Sequence, residues 1–390
     1  MRIAVLAIFC VVLATPAPTQ RSRQARQQAR AIAERVIEVG KENWEKPWAP
    51  DLRSSRRKLK IDLDRRIDVL ILGDGYLENE RSRFEREVEA WYREFSSLTP
   101  WNQLLGVFRV RGYWTPSATR ATDSRGSHFQ LAGTQANDIT ASNVFAAIDE
   151  TECNPSRLSG TLSHTTVIML IRDDRDRNPS GMTRSLSGPK GTRVRVGYGA
   201  YTHHEFGHAY PGLKDEYIKG EDSKANGTTP SRPSIFDLIN LSHTKDPKLL
   251  PWRHLMPGSK INPDKRSVIG VLWIGGIGEH GAWHSEVRCM MNGTHENWDL
   301  DKTKRGIGLR DRKRFCFWCE EIIVAKTWAK LGLLGDSKTG TKLYEAWTAK
   351  HRGNYQSFFK VKARIKAQNT ENRNRNVGEA KIFERIEDGR

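Results

Sequence analysis

The first strong pattern along the chain is a short apolar run followed by an amphipathic segment. Val69 to Leu72 are apolar, and Gly73 and Gly75 end the run, which predicts a buried strand. The next segment spaces its large apolar side chains three and four residues apart, which predicts a helix with one face packed on that strand. Those side chains are Phe84, Val88, Trp91, Phe95 and Leu98.

Further apolar runs predict that strands and helices alternate. Strands are expected at Val107 to Val110 and at Thr166 to Ile171, with a helix near Ala141 to Ile148 between them. Thr192 to Val196 is expected to be an edge strand, to which an extended peptide could add its own backbone hydrogen bonds. A largely apolar helix is predicted at Phe315 to Leu334. This order of elements predicts an α/β fold with a mixed, twisted sheet.

The two ends of the chain differ from its middle. Residues 18–60 are polar and basic, with one helical stretch around Ala31 to Val39, and residues 336–390 are also basic. Both ends are therefore expected to be loosely ordered around a folded domain at residues 61–335. Within that domain, residues 218–285 form a long, poorly periodic insertion rich in Gly and Pro, of a kind that often shapes a substrate cleft.

The strongest chemical signal is His204-Glu205-Phe206-Gly207-His208. Positions four apart on a helix lie one turn above each other, so His204 and His208 can both offer a ring nitrogen to one metal ion. Glu205 lies next to that face, where a carboxylate is badly placed to bind the ion but well placed to take a proton from water that the ion activates. The segment therefore predicts a hydrolytic zinc site.

The residues after this segment supply a third ligand. Pro211 and Gly212 predict that the helix stops just after His208, because proline cannot continue the hydrogen-bond ladder and glycine accepts a left-handed turn. The chain can then reverse and bring back Asp215, which leaves a fourth position for water, as in a catalytic zinc site. The competing interpretation is a surface helix whose His and Glu side chains bind no metal.

Other candidates for the cleft are three histidines and a tyrosine. His203 points about 100° around the helix from His204 and is not expected to bind the metal. His280 and His284 repeat the four-residue spacing in a glycine-rich stretch where a helix is not expected, so they are predicted to line the cleft. Tyr217, or a group from residues 280–290, is a candidate for stabilising the oxyanion.

Around this motif the chain resembles the IgA-specific metallopeptidase family, zinc peptidases related to the metzincins. Residues 204–217 read HEFGHAYPGLKDEY, whereas ordinary metzincins place the glycine and the third ligand one residue earlier and usually use histidine there. Asp68 to Tyr76 is similar to the family's first strand and turn, and Asn240 to His254 to its segment after the zinc helix. Cys289-Met290-Met291 and Phe315 to Cys319 resemble its methionine turn and Cys-x-x-Cys helix.

This resemblance covers most of residues 61–335 and implies a metzincin-like catalytic domain with one catalytic Zn²⁺. It implies His204, His208 and Asp215 as zinc ligands and Glu205 as the catalytic base, with Met291, or else Met290, beneath the metal. The stretch from His280 to His284 and the basic ends depart from the family pattern, so the natural substrate is not carried over from the family name.

The N-terminus has the form of a secretory signal peptide. Arg2 precedes an apolar run from Ile3 to Ala14, followed by small residues and proline up to about residue 17. The run is too short to span a membrane, and the sequence contains no other long apolar stretch. The mature protein is therefore expected to be secreted or periplasmic.

Beyond this leader the cysteines are Cys153, Cys289, Cys316 and Cys319. An even number in an oxidising compartment predicts disulfides, and three pairings are possible. A bond from Cys289 to Cys316 or Cys319 would tie the methionine turn to the following helix. Free thiols and a second metal site are the alternatives, but no fourth ligand is evident beside the last three cysteines.

The formal net charge of +18 over 390 residues is carried mainly by the two ends. It suggests attraction to anionic surface polymers, or simply a solvated basic face. No RNP, helix-turn-helix or zinc-finger pattern indicates specific binding to nucleic acid. The sequence thus predicts a secreted zinc endopeptidase acting on proteins or peptides. The rivals are a zinc amidase acting on cell-wall peptides and a non-catalytic, basic surface-binding protein.

Overall fold

A computed structural model describes most of the chain's middle and parts of its ends. The described residues are 20–44, 66–120, 126–131, 139–153, 165–172, 181–188, 192–198, 202–216, 239–242, 246, 248–255, 272–273, 283–286, 289–292, 314–333 and 341–352. The predicted signal peptide, Tyr217, His280 and most of the 218–285 insertion lie outside these residues.

The fold is built on a six-stranded mixed sheet in the order β1-β3-β2-β4-β6-β5. The four inner strands run parallel, and β1 and β5 pair antiparallel at the two edges. The prediction of a mixed α/β fold is confirmed. The strands are β1 (Val36–Val39), β2 (Ile67–Asp74), β3 (Phe108–Tyr113), β4 (Thr165–Ile171), β5 (Met182–Ser187) and β6 (Arg193–Tyr198).

Helices cover both faces of the sheet. They are α1 (Gln20–Arg35), α2 (Lys41–Trp44), α3 (Arg81–Ser97), α4 (Ala141–Glu150), α5 (Thr202–Ala209), α6 (Phe317–Lys330) and α7 (residues 341–352). A separate two-stranded pair joins β7 (Leu272–Trp273) to β8 (Trp283–His284). Within the residues just given, no helix has the length and apolar character needed to cross a bilayer.

The central strand β2 is buried along its whole length, which explains its unbroken apolar run. Val69 and Ile71 pack into one core cluster with residues of α3, α5 and α6, whereas Leu70 and Leu72 pack into a second cluster with residues of α4. This alternation follows from the period of two along a strand. The first cluster is the larger and lies directly beneath α5, which carries the candidate site.

The prediction that Thr192 to Val196 form an edge strand is wrong. The strand that begins at Arg193 lies inside the sheet, between β4 and β5, and β5 forms the edge. Little in the pattern of residues predicts β5, because its side chains are all exposed or half-buried and include two serines, a threonine and an arginine. A strand with no buried face has no apolar alternation to detect.

The expectation of loosely ordered ends is also wrong in two places. Instead of continuing a helix to Val39, the chain leaves α1 at Arg35 and forms edge strand β1, in keeping with its β-branched residues. At the other end, α7 buries Leu343 and Trp347 in the larger core cluster. The indole Nε1 of Trp347 donates a hydrogen bond to Gln103 Oε1 at 2.7 Å. Parts of both basic ends therefore belong to the folded unit.

Candidate metal centre

Helix α5 is held against the sheet and the aromatic core by its own sequence. Phe206 is fully buried, with its ring stacked on Tyr210 and edge-on to Trp101. On the sheet side, Gly197 of β6 leaves room for the helix, because a Cβ atom there would lie 3.0 Å from the Cβ atom of Glu205. The histidine pair is therefore carried by a short helix fixed on two sides.

Three polar side chains converge at the end of α5. His204 Nε2 and His208 Nε2 lie 3.0 Å apart, and each lies 3.1 Å from Asp215 Oδ1. The reversal that returns Asp215 runs through Gly212, whose φ of +80° is the left-handed conformation that glycine adopts readily. The backbone N–H of Leu213 donates to the carbonyl of Gly207, which closes the turn. The structure brings the three predicted ligands together.

The hydrogen bonds of the two imidazoles fit a metal ion at this point. His204 Nδ1 faces the carbonyl of Met290 at 2.8 Å, and His208 Nδ1 faces the carbonyl of Leu213 at 2.7 Å. A carbonyl only accepts, so both Nδ1 atoms carry the proton and both neutral Nε2 atoms present lone pairs towards each other. Two lone pairs and a carboxylate oxygen in contact repel one another, and a proton or a metal ion between them relieves this repulsion. Imidazoles whose outer nitrogens face carbonyl groups are typical of metal-binding histidines.

The electrostatics of Asp215 agree with this arrangement. Burial would raise the pKa of this carboxyl, but the adjoining side chains of His204 and His208 hold it well below its ordinary value. Asp215 therefore stays ionised and available as an anionic ligand. His208 and Asp215 are only half-buried, whereas His204 is buried, so the group is open on one side. An open side is what a catalytic metal site requires.

Glu205 is buried beside the donors but is not one of them. Burial raises the pKa of its carboxyl above the ordinary value, partly offset by the neighbouring His204 and His208. The hydroxyl of Thr183 lies 2.9 Å from Glu205 Oε2 and 3.0 Å from its backbone carbonyl. Sequence reasoning missed Thr183, because it lies on the exposed edge strand β5, 22 residues before Glu205.

The turn at residues 290–292 lies beneath α5. Met291 is fully buried, and a Cβ atom at Gly207 would lie 2.7 Å from its sulfur. Met290 contributes its backbone carbonyl to His204 instead. Of the two methionines, the geometry supports Met291 as the residue under the helix.

The remaining histidines do not join the donor group. His203 stacks on Trp91, with ring centroids 4.8 Å apart, as expected for a non-ligand. His284 is buried, and its Nδ1 lies 2.8 Å from the carbonyl of Glu286 and 3.7 Å from Glu216 Oε2. It belongs to a second buried cluster. Tyr217 and His280 lie outside the described residues, so their roles stay predictions.

The four described cysteines are all buried free thiols, so the predicted disulfides are not present in this structure. Cys153 lies in the core cluster on the α4 side of the sheet and accepts a hydrogen bond from Arg111 at 2.7 Å. Cys289, Cys316 and Cys319 lie together, with Glu216 among them. Glu216 is the fourth group that was not evident in the sequence, because 73 residues separate it from Cys289.

The two histidines on the helix and the returning aspartate match the donor set expected of a hydrolytic metal centre. A family model described as IgA Peptidase M64 matches residues 59–263, more than half of the chain. The chain belongs to this family and is a peptidase. A search of curated proteins found no match. The matched range contains α5 and Asp215 but ends before the methionine turn and the three clustered cysteines.

Proposed function

We propose that the chain is an exported, zinc-dependent endopeptidase in which Glu205 is the general base. The observation that supports this most strongly is the contact of two imidazole nitrogens and one carboxylate oxygen within 3.1 Å, with both Nδ1 atoms engaged by carbonyls. Zinc in such a site acts as a Lewis acid and lowers the pKa of water to about 7. Export rests on the signal-peptide pattern alone.

In this proposal the protein's own groups handle the proton. Glu205 accepts a proton from the attacking water and passes it to the departing amine. Its raised pKa suits both steps, because a carboxyl with a pKa closer to neutrality both accepts and returns a proton more readily. Thr183 holds the carboxylate in place through its hydroxyl.

The exposed edge of β5 supports an extended peptide as substrate. Among the described strands, β5 pairs only with β6, so its other side can add a strand of substrate by backbone hydrogen bonds. Thr183 lies on this strand and contacts Glu205. A peptide paired with β5 would therefore run close to the catalytic carboxylate.

The proposed domain organisation follows the same lines, with a catalytic unit at residues 61–335 that also includes β1 and α7. The net charge of +18 supports a further attraction of the basic ends to anionic surface polymers. Binding of this kind would weaken with added salt.

Activity is tested by comparing digestion of a peptide library with digestion of peptidoglycan. Cleavage within the peptides supports an endopeptidase, and release of cell-wall fragments with no cleavage of the library would favour the amidase.

Asp215→Ala is expected to lower the zinc content, and full zinc occupancy in that variant would show that the third ligand is misassigned. Salt-sensitive binding to an anionic matrix with no cleavage of any denatured protein would favour the non-catalytic alternative.

Glu205→Gln tests the general base. This variant is expected to keep its zinc and to lose about 10²–10⁴-fold in hydrolysis rate. Glu89→Gln, an exposed site on α3, is the matched control and should behave as wild type. Retained turnover in Glu205→Gln would refute the role of Glu205.

A further inference from the structure

A second group of metal-binding side chains lies in the core next to the candidate active site. Glu216, Cys289, Cys316 and Cys319 each offer one ligand atom, and these four atoms all lie within 4.8 Å of one another. All four residues are buried. The group is therefore closed to solvent, in contrast to the half-open group around Asp215.

Three separate parts of the chain contribute to this cluster. Cys316 caps the N-terminus of α6 and Cys319 lies in its first turn, so the helix alone places two sulfurs side by side. Cys289 precedes the methionine turn, and Glu216 directly follows Asp215. Cys319 Sγ lies 3.2 Å from Glu216 Oε1 and 3.8 Å from Cys289 Sγ.

Several neighbouring groups direct hydrogen bonds at the sulfurs. The backbone N–H of Cys316 donates to Cys289 Sγ at 3.2 Å, and that of Cys319 donates to Cys316 Sγ at 3.4 Å. Ser285 Oγ also lies 3.4 Å from Cys316 Sγ. N–H donors at the start of a helix favour negative charge on the sulfurs that they reach.

The carboxylate of Glu216 is only half satisfied. Asn240 Nδ2 donates to Oε1 at 3.1 Å, whereas Oε2 has no hydrogen-bond partner among the described residues and lies 3.7 Å from His284 Nδ1. A fully buried carboxylate that lacks a hydrogen bond to one oxygen is costly unless a cation compensates it. Zn²⁺ accepts both thiolate and carboxylate ligands, and a closed set of four protein ligands rich in cysteine is typical of structural zinc.

We propose that Glu216, Cys289, Cys316 and Cys319 bind a second, structural zinc ion. Four protein ligands leave no position for water, so this ion would stabilise the fold and take no part in hydrolysis. A disulfide explains the cluster less well. It would join two of the three sulfurs and leave the third sulfur and the Glu216 carboxylate without compensation.

The cluster around Glu216 also holds parts of the group around Asp215 in position. Asp215 and Glu216 are neighbours in sequence, yet their side chains belong to different clusters. The backbone N–H of Glu216 donates to the carbonyl of Met291 at 2.7 Å, while the carbonyl of Met290 faces His204 at 2.8 Å. An ion that fixes Glu216 and Cys289 therefore fixes both the third ligand and the outer partner of His204.

Zinc content per chain tests the proposal. Wild-type full-length protein, purified without chelator, is expected to hold about two zinc ions, one for each cluster. Cys319→Ser and Glu216→Gln should lower that to about one or less, because three remaining ligands hold a structural ion weakly. Cys153→Ser, a buried cysteine outside the cluster, is the matched control and should keep both ions.

Cobalt substitution gives a reading that does not depend on whether a variant folds. Wild type loaded with Co²⁺ should show intense thiolate-to-metal charge-transfer absorption, which a site of two histidines and an aspartate cannot give. Asp215→Ala should keep this absorption. Two results would overturn the second site and leave the proposed peptidase intact. One is a content of one zinc per chain without the charge-transfer absorption. The other is a mass of the denatured protein that is lower by two hydrogens for each disulfide. Full charge-transfer absorption without any peptide cleavage would refute only the proposed peptidase function.

Discussion

At the scale of single residues, the least obvious contributor to the candidate active site is Thr183. Its hydroxyl touches both the side chain and the backbone carbonyl of Glu205. A hydrogen bond to a charged group contributes about 1.5–3 kcal/mol. We therefore expect Thr183→Val to lower kcat by about tenfold to a hundredfold with unchanged zinc content.

Thr183→Ser is the matched control, because it keeps the hydroxyl and should retain most of the activity. If Thr183→Val and Thr183→Ser hydrolyse a peptide equally fast, Thr183 does not position the base. A drop in zinc content in the valine variant would instead assign Thr183 a structural role.

Lys330 provides a prediction for the effect of pH on stability. It is buried at the end of α6, with its Nζ atom 4.7 Å from the centre of the Tyr210 ring. Burial, with the nearby charges of Arg195 and Lys326, lowers its pKa to about 7 from 10.5. Between these values the unfolded chain holds the proton and the folded chain does not, so this group makes stability rise with pH.

Lys330→Met removes this titration. The variant is expected to melt at a higher temperature than wild type near pH 7, and the difference should shrink as the pH approaches 10. Thermal unfolding of both proteins at pH 7, 8.5 and 10 measures this difference in melting temperature. A difference that stays constant over this range would contradict the assignment.

At the scale of elements, the close approach of α5 to the methionine turn decides the effect of Gly207→Ala. Helix propensity alone predicts that alanine stabilises a helix interior by about 1 kcal/mol. The added Cβ atom would lie 2.7 Å from Met291 Sδ and 3.2 Å from the ring of Phe315, so packing opposes it. We expect packing to win, with a net loss of about 1–3 kcal/mol in the free energy of unfolding.

A double-mutant cycle separates the two effects. With Met291→Ala as the background, Gly207→Ala should cost much less, because the sulfur that it meets is gone. Denaturant unfolding of the four proteins measures the coupling. A stabilised Gly207→Ala protein would mean that the turn does not pack against the helix as described.

The elements also show what the sequence could predict. The donors His204, His208 and Asp215 lie within twelve residues, so helix periodicity and a glycine turn were enough to group them. Thr183 and Glu216 are linked to their sites only through the fold of the sheet and of the residues around α6. No local pattern marks such a contact. The edge strand β5 was missed for a different reason, because it has no buried face.

At the scale of the whole molecule, the sheet and its two helical layers place an open donor group and a closed one side by side. The segment Asp215–Glu216 supplies one potential donor side chain to each group. Parts of the basic ends complete the folded unit, since β1 pairs with β3 and α7 packs on the larger core cluster. The predicted boundaries at residues 60 and 336 missed these contacts, because the surrounding charge dominates the composition of both ends.

The most direct test of the central claim is an anomalous difference map, recorded at the zinc absorption edge, from crystals of full-length protein that cleaves peptides. We expect a strong peak within coordination distance of His204 Nε2, His208 Nε2 and an oxygen of Asp215. Active protein with no peak at these three groups would contradict the account of this peptidase.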